Sequence, residues 1–398
     1  MESYIVDWLN LGARWLHFIA GVAWIGTSLY FVLLDTSLTP PQNPADARRG
    51  VFGELWAVHG GGFYHSQKFL TGPKGEPLST NLHWSKWEAY TTWLSGMALL
   101  AIIYWYGAGA YLVDKSVMDL SAPAAIALSA GSLVAGWVVY DLLCRTISHD
   151  LALSIVLYAL LVAAAWGYGQ VFGGRAAYVH VGALIGTIMV WNVFFHIIPG
   201  QKRMVAEIRA GKDPDPRPGI VGKQRSVHNT YFTLPVLFIM ISTHYPLTFG
   251  HRHAWAVLAV FMLAGALIRQ YFVLRHTGRN AVALPAVAAV LLAGLAIALA
   301  PARPAPAPAG AAVGFARVAP IIAARCAVCH ASKPTFAGFQ QPPGGLVFDT
   351  PEQIKAAAQR IHQQTIATQA MPLGNLTRMT AEERALLGRW LAEGAPLQ

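Results

Sequence analysis

Three cysteines occur in the 398 residues, and two of them stand in the pentad Cys326-Ala-Val-Cys329-His330. C-x-x-C-H is the attachment signature of a c-type haem. Two thiols one helical turn apart can reach both vinyl groups of one porphyrin, and the adjacent His330 then faces the iron. A sixth ligand from the distal half would be Met or His, with Met raising the potential. Met371, stiffened by Pro372 in "ATQAMPLGNL", is the expected ligand, with Met379 and His362 as alternatives. The third cysteine, Cys144, reads as packing.

Histidines within the apolar stretches form a second group. An ionisable residue at membrane depth is costly and marks function by default. Sorted by depth, His17, His180 and His244 fall in one half of the bilayer. His59, His65, His83, His149, His196 and His228 fall toward the other face. In "WLNLGARWLHFIAGVAWIG", Arg14 lies one turn before His17 and Gly21 one turn after. A flat macrocycle needs such a gap beside its ligand, and an arginine can pair with a propionate. His17, His180 and His244 are therefore candidate ligands of a non-covalent haem b. The plainer alternative is helix-to-helix hydrogen bonding, with Arg14 snorkelling to the interface.

A third group occupies "GELWAVHGGGFYHSQKF", Gly53 to Phe69. Gly60, Gly61 and Gly62 would let backbone approach a ligand and expose its N–H groups. Glu54, His59, His65 and Lys68 are the candidate catalytic residues around them, and Tyr64 a binding residue. His149, His228 and Asn229 share the expected depth and join the candidate binding set. Such a lining suits a planar, anionic, hydrogen-bond-rich molecule. The bland alternative is a glycine-rich re-entrant connection.

The elements that must position these residues are set by composition. The chain is 55% hydrophobic and only 12% charged, about half the charge of a soluble domain. Apolar runs of membrane-crossing length predict eight helical spans, at 8–34, 88–110, 121–143, 151–169, 178–198, 228–247, 254–274 and 281–300. The first is too long for a signal peptide core and lacks a basic flank. With the N-terminus outside, the inward loops hold fifteen Lys and Arg and the outward loops three. That asymmetry is the positive-inside pattern, so the net charge of +10 reads as topology and excludes nucleic-acid binding as its cause.

Beyond Ala300, "PARPAPAPAG" (301–310) reads as a Pro/Ala linker, and 311–398 as a small soluble domain. Helical texture runs over 351–368. Thr380-x-x-Glu383 is a capping box that opens a helix carrying Leu386, Leu387 and Trp390. The expected fold is all-α: a polytopic membrane bundle (1–300) followed by a domain resembling a single-haem class I cytochrome c. Haem c is attached outside the cytoplasmic membrane, so the C-terminus must lie outside. Eight spans then put the N-terminus outside too, as loop charge requires.

Five longer stretches, "GELWAVHGGGFYHSQKF", "HWSKWEAYTTWLSG", "WNVFFHIIPGQKRMV", "HNTYFTLPVLFIMISTHYP" and "MPLGNLTRMTAEER", together resemble the bacterial membrane-bound urate oxidase family. That family joins an eight-helix domain to a C-terminal cytochrome c. The resemblance implies oxidation of urate to 5-hydroxyisourate at the bacterial inner membrane. Electrons would pass through haem to the fused, periplasmic cytochrome c. A downstream respiratory cytochrome or terminal oxidase, and not dioxygen, would receive them. The competing function is a respiratory membrane cytochrome, such as a quinol-oxidising subunit, without urate chemistry. A transporter is disfavoured by the scarcity of paired charges in the spans.

Overall fold

Long apolar runs broken by few prolines become long helices, and these dominate the computed structural model, which describes residues 2–300, 313–336, 339 and 341–398. The main helices are α1 (Glu2–Ser37), α2 (Trp87–Leu99), α3 (Ala122–Thr146), α4 (Asp150–Val171), α5 (Gly174–Asn192), α6 (Ile198–Arg209), α7 (Arg217–Ser242), α8 (Ala254–His276) and α9 (Ala283–Ala298). Local signals set several boundaries. The Ser121 hydroxyl accepts the Ala124 N–H at the start of α3, and His149 Nδ1 accepts the Ala152 N–H at 3.2 Å at the start of α4. Unpaired amides of the first turn are satisfied in this way.

Among the described residues, five helical stretches are long and apolar enough to cross a membrane: Tyr4–Ser37, Ala122–Thr146, Asp150–Gly169, Gly174–Arg209 and Ala254–His276. The other three expected spans have local reasons to differ. The 88–110 segment is α2 followed by a π-helical stretch, Leu100–Trp105, and a turn. The 228–247 segment is the apolar half of α7, whose first half carries Lys223 and Arg225. In 281–300 the helix is α9, only 16 residues long.

The polarity of the bundle suits lipid. Large apolar side chains face outward along α1 and α9, with Trp15 69% and Ile297 77% exposed. Asp141, His180, Asn192, Arg225 and Arg269 are buried inside. Intramembrane polar groups face the bundle interior because only there do they find partners. The centre is α5, buried from Ala176 to Asn192 and packed by α2, α3, α4 and α7.

The all-α expectation needs one correction. Residues 51–69 form an antiparallel hairpin, β1 (Val51–His59) and β2 (Gly62–Phe69). Its two-residue turn is Gly60–Gly61, at φ +60° and +80°. Two left-handed residues in sequence match the right-handed twist of a hairpin, which is why Gly-Gly is favoured there.

The Pro/Ala linker at 301–310 lies outside the described residues. Residues 313–398 gather a core of their own around Val318, Ile322, Phe348, Ile361, Leu387 and Trp390. It is built on α10 (Phe315–Ile322), α11 (Pro351–Ala356) and α12 (Ala381–Ala392). The expected capping box opens α12: Glu383 N–H donates to the Thr380 hydroxyl at 3.2 Å, and Thr380 N–H to Glu383 Oε2 at 2.8 Å.

Candidate functional site

A cavity of about 460 Å³ opens between α1, α2, α5 and α7, within the range of small-molecule and cofactor sites. His17 and His244 both line it, on helix α1 and just past the end of α7. Arg14 and Arg175 stand at its rim, and Gly21, Gly96, Gly182 and Gly186 thin its walls. The His17 ring is fixed by α2: Nδ1 lies 2.9 Å from the Thr92 carbonyl and 3.2 Å from Ser95 Oγ. Gly96 is needed for this placement, since a Cβ there would meet His17 Cε1 at 2.9 Å.

His180 is not part of that cavity. The cavity face of α5 runs through Arg175, Val179, Gly182 and Gly186, and His180 lies off this stripe. It is fully buried, 2.7 Å from Ser129 Oγ and 2.7 Å from the Ala176 carbonyl, with its ring 4.6 Å from that of Phe172. Both ring nitrogens are therefore engaged, Nε2 with Ser129 on α3 and Nδ1 within α5 itself.

The hairpin divides the residues expected to act together. Register pairs Glu54 with Gln67, Trp56 with His65 and Val58 with Phe63, so these share one face. Lys68 and Tyr64, opposite Gly53 and Ala57, lie on the other with His59. Buried Glu54 holds His65 Nε2 at 2.9 Å, and the ring of His65 stacks on Trp56 at 4.1 Å. The Gln42 amide donates to Glu54 at 3.0 Å. This amide first, then His65, holds the Glu54 carboxyl below the usual range. Lys68 is committed to Asp35 at 2.5 Å, an aspartate that also binds Lys223. Around Gly60, Gly61 and Gly62 an added Cβ would meet open space. The glycine triplet serves the turn and is not pressed against a neighbouring group.

A polar cluster that sequence reading assigned only in part lies between α3, α5 and α7. Arg225 Nη2 donates to Asp141 Oδ1 at 2.7 Å, and Arg145 grips the other oxygen of Asp141 at 2.7 Å. His196 Nε2 is 2.6 Å from Asp141, carried there on a π-helical turn, Val193–Ile197. Such turns recur at functional sites. Tyr140 OH lies 2.8 Å from His228 Nδ1 and accepts from Asn192 at 2.9 Å, and Asn192 donates to Asn229 at 3.1 Å. Asn229 in turn donates to the carbonyl of Met189, a cavity residue. The cluster therefore begins one turn below the cavity floor. His149, by contrast, is an exposed helix cap. In the sequence Arg225 counts as a loop charge and His196 only as one of the histidines toward that face, whereas Tyr140, Asp141 and Asn192 carry no local signal.

In the C-terminal segment Cys326, Cys329 and His330 lie on consecutive helical turns. Burial pushes the Cys326 thiol up to about 12 and lowers His330. His330 Nδ1 is 3.1 Å from the Leu346 carbonyl. Of the alternatives on the distal side, Met379 is buried in the core beside Leu387 and Trp390. Met371 sits in a loop, its carbonyl accepting from Arg384 at 3.0 Å. The neighbouring Thr368–Ala370 stretch reaches the membrane bundle: Ala370 packs on its core, and the Thr368 carbonyl lies against Gly250. Tyr111 on the same end is within electrostatic range of Cys329.

The family model described as Urate oxidase N-terminal matches residues 3–300. Comparisons with curated proteins and with solved structures return no match. With three quarters of its length covered by that one model, the chain belongs to the urate oxidase N-terminal family.

Proposed function

We propose that this protein is a membrane-bound urate oxidase that delivers its electrons to its own C-terminal cytochrome c. Urate plus water gives 5-hydroxyisourate, two protons and two electrons, and the electrons leave toward an external respiratory cytochrome or terminal oxidase, not dioxygen. The family supports urate; the cavity supports an electron exit. One observation carries the reading. A cavity with two histidines on different helices and two rim arginines lies between a buried polar cluster and a docked C-x-x-C-H domain.

The donor set fits a haem b. His17 and His244 would be its ligands. The hydrogen bond from His17 Nδ1 to Thr92 fixes one tautomer and frees Nε2, the arrangement usual for metal-bound imidazole. Arg14 and Arg175 would meet propionates, and the glycines would admit the flat ring. His330 would be held for a haem in the same way by the Leu346 carbonyl, Cys326 and Cys329 would be its attachment points, and Met371 would be a further ligand. When bound, the two haems supply one-electron acceptors between the substrate and the outside. Eight spans, with both termini in the periplasm of the bacterial inner membrane, satisfy loop charge and the export needed for haem c.

Membranes containing the protein should consume urate while reducing cytochrome c. Hydrogen peroxide released in proportion to urate would overturn the electron-exit reading. A pyridine haemochrome spectrum should show b-type and c-type signals together.

A further inference from the structure

Among the described residues, four buried polar atoms in the cluster between α3, α5 and α7 have no partner in hydrogen-bond geometry: Nε and Nη1 of Arg225, which otherwise lies against Tyr140 and Cys144, Oδ1 of Asn192 and Nε1 of Trp137. The Arg225 residue is only 2% exposed. Buried donors and acceptors are nearly always paired, so unpaired ones gathered in one place call for a missing partner. Their chemistry is specific. Arg225 and Trp137 offer donors, and Asn192 an acceptor. Aromatic faces stand alongside, with the Arg225 guanidinium 5.0 Å over the ring of Tyr140 and the Trp137 ring 6.3 Å from that of His196. One buried carboxylate, Asp141, faces two arginines, and Asp150 lies within electrostatic range of His228, so the unpaired N–H groups of Arg225 are what favours an anion.

We infer that Arg225, Asn192 and Trp137 bind a planar heterocyclic anion carrying both carbonyl and N–H groups. On the reading of the chain as a urate oxidase, on which this rests, that anion is urate. The carbonyl edge takes the N–H groups of Arg225 and Trp137, and a ring N–H donates to Asn192 Oδ1. His196, hydrogen-bonded to Asp141, and His228, hydrogen-bonded to Tyr140, are positioned to accept protons from the bound ring. Entry is from the end where Arg145 is exposed, its side chain 64% accessible. The site thus moves from the glycine hairpin into the bundle, next to the floor of the histidine cavity.

The test is equilibrium binding of urate to the full-length protein in nanodiscs, chemically reduced so that no turnover occurs. Wild type should bind saturably. Arg225→Gln should weaken binding about tenfold or more, with Arg225→Lys intermediate, while hypoxanthine, a neutral purine, loses less. Removing Arg225 leaves Asp141 with one partner fewer, so Asn192→Ala provides a second variant, expected to weaken urate without altering haem absorption. Equal urate affinity in Asn192→Ala and Arg225→Lys would overturn the assignment and identify water as the missing partner. Wild type that fails to bind urate at all would instead overturn the functional reading.

Discussion

The carbonyl of Thr368 lies against Gly250 so closely that no side chain fits between them. One of these residues belongs to the C-x-x-C-H domain, three positions before Met371, and the other to the turn before α8. Contact at this point seats the Met371 loop on the bundle. Gly250→Leu should force the two apart. Urate-driven reduction of haem c should fall roughly tenfold, the linker retaining part of the effective concentration. Dithionite-reduced spectra of both haems should be unchanged. Stopped-flow absorbance would measure it, and an unaltered rate would remove this contact from the electron route.

Replacing His17 or His244 by Ala should each abolish the b-type haemochrome signal and spare the c-type one. His180→Ala should behave differently. It leaves the Ser129 hydroxyl with the Trp105 N–H as a remaining partner and opens a buried gap, a loss of about 1–3 kcal/mol read as a lower thermal midpoint, and should retain haem b.

The glycine triplet gives a direct contrast between turn and catalysis. Asparagine tolerates positive φ better than other side chains, so Gly61→Asn should keep the hairpin and leave urate turnover at wild-type level. Loss of turnover, with hydrogen exchange of 51–69 intact, would restore the hairpin as the substrate site.

Acid should loosen that hairpin selectively. The folded Glu54 carboxyl is held below its ordinary value of 4.5, so the fold favours its ionised form. The stabilisation is complete above that value and is lost as pH falls through the lower folded value. Hydrogen exchange across 51–69 should accelerate over that acid window, and Glu54→Gln should flatten the pH dependence.

Methionine ligation is separable by position. Met371→His should lower the midpoint potential of haem c, because a thioether ligand raises it. Met379→Leu, a volume-conserving change in the core, should leave the potential in place and cost under about 1.5 kcal/mol.

Sequence pattern is enough for the long helices and the capping box at Thr380, because each is decided within a few residues. The hairpin is equally local: apolar strands on either side of Gly60–Gly61 are a hairpin signal, but in a chain of long apolar helices the same glycines also suit a ligand-contacting loop. His180 was misplaced for a different reason: one residue of helical rotation separates it from the cavity stripe of Val179 and Gly182. Arg225 could not be found locally at all. Its meaning depends on Asp141, 84 positions away in the chain, and a positive charge near a helix start looks like topology until that partner is seen.

On one side the histidine cavity is lined by α1, a helix that buries Ala20 and Gly21, sets Phe18 at the cavity and turns Trp15 outward. A guest too greasy for water then needs no aqueous mouth. It can dissolve in the surrounding hydrocarbon and slip in sideways past this helix, and the same route sets how readily it is lost when the lipid is stripped away by detergent.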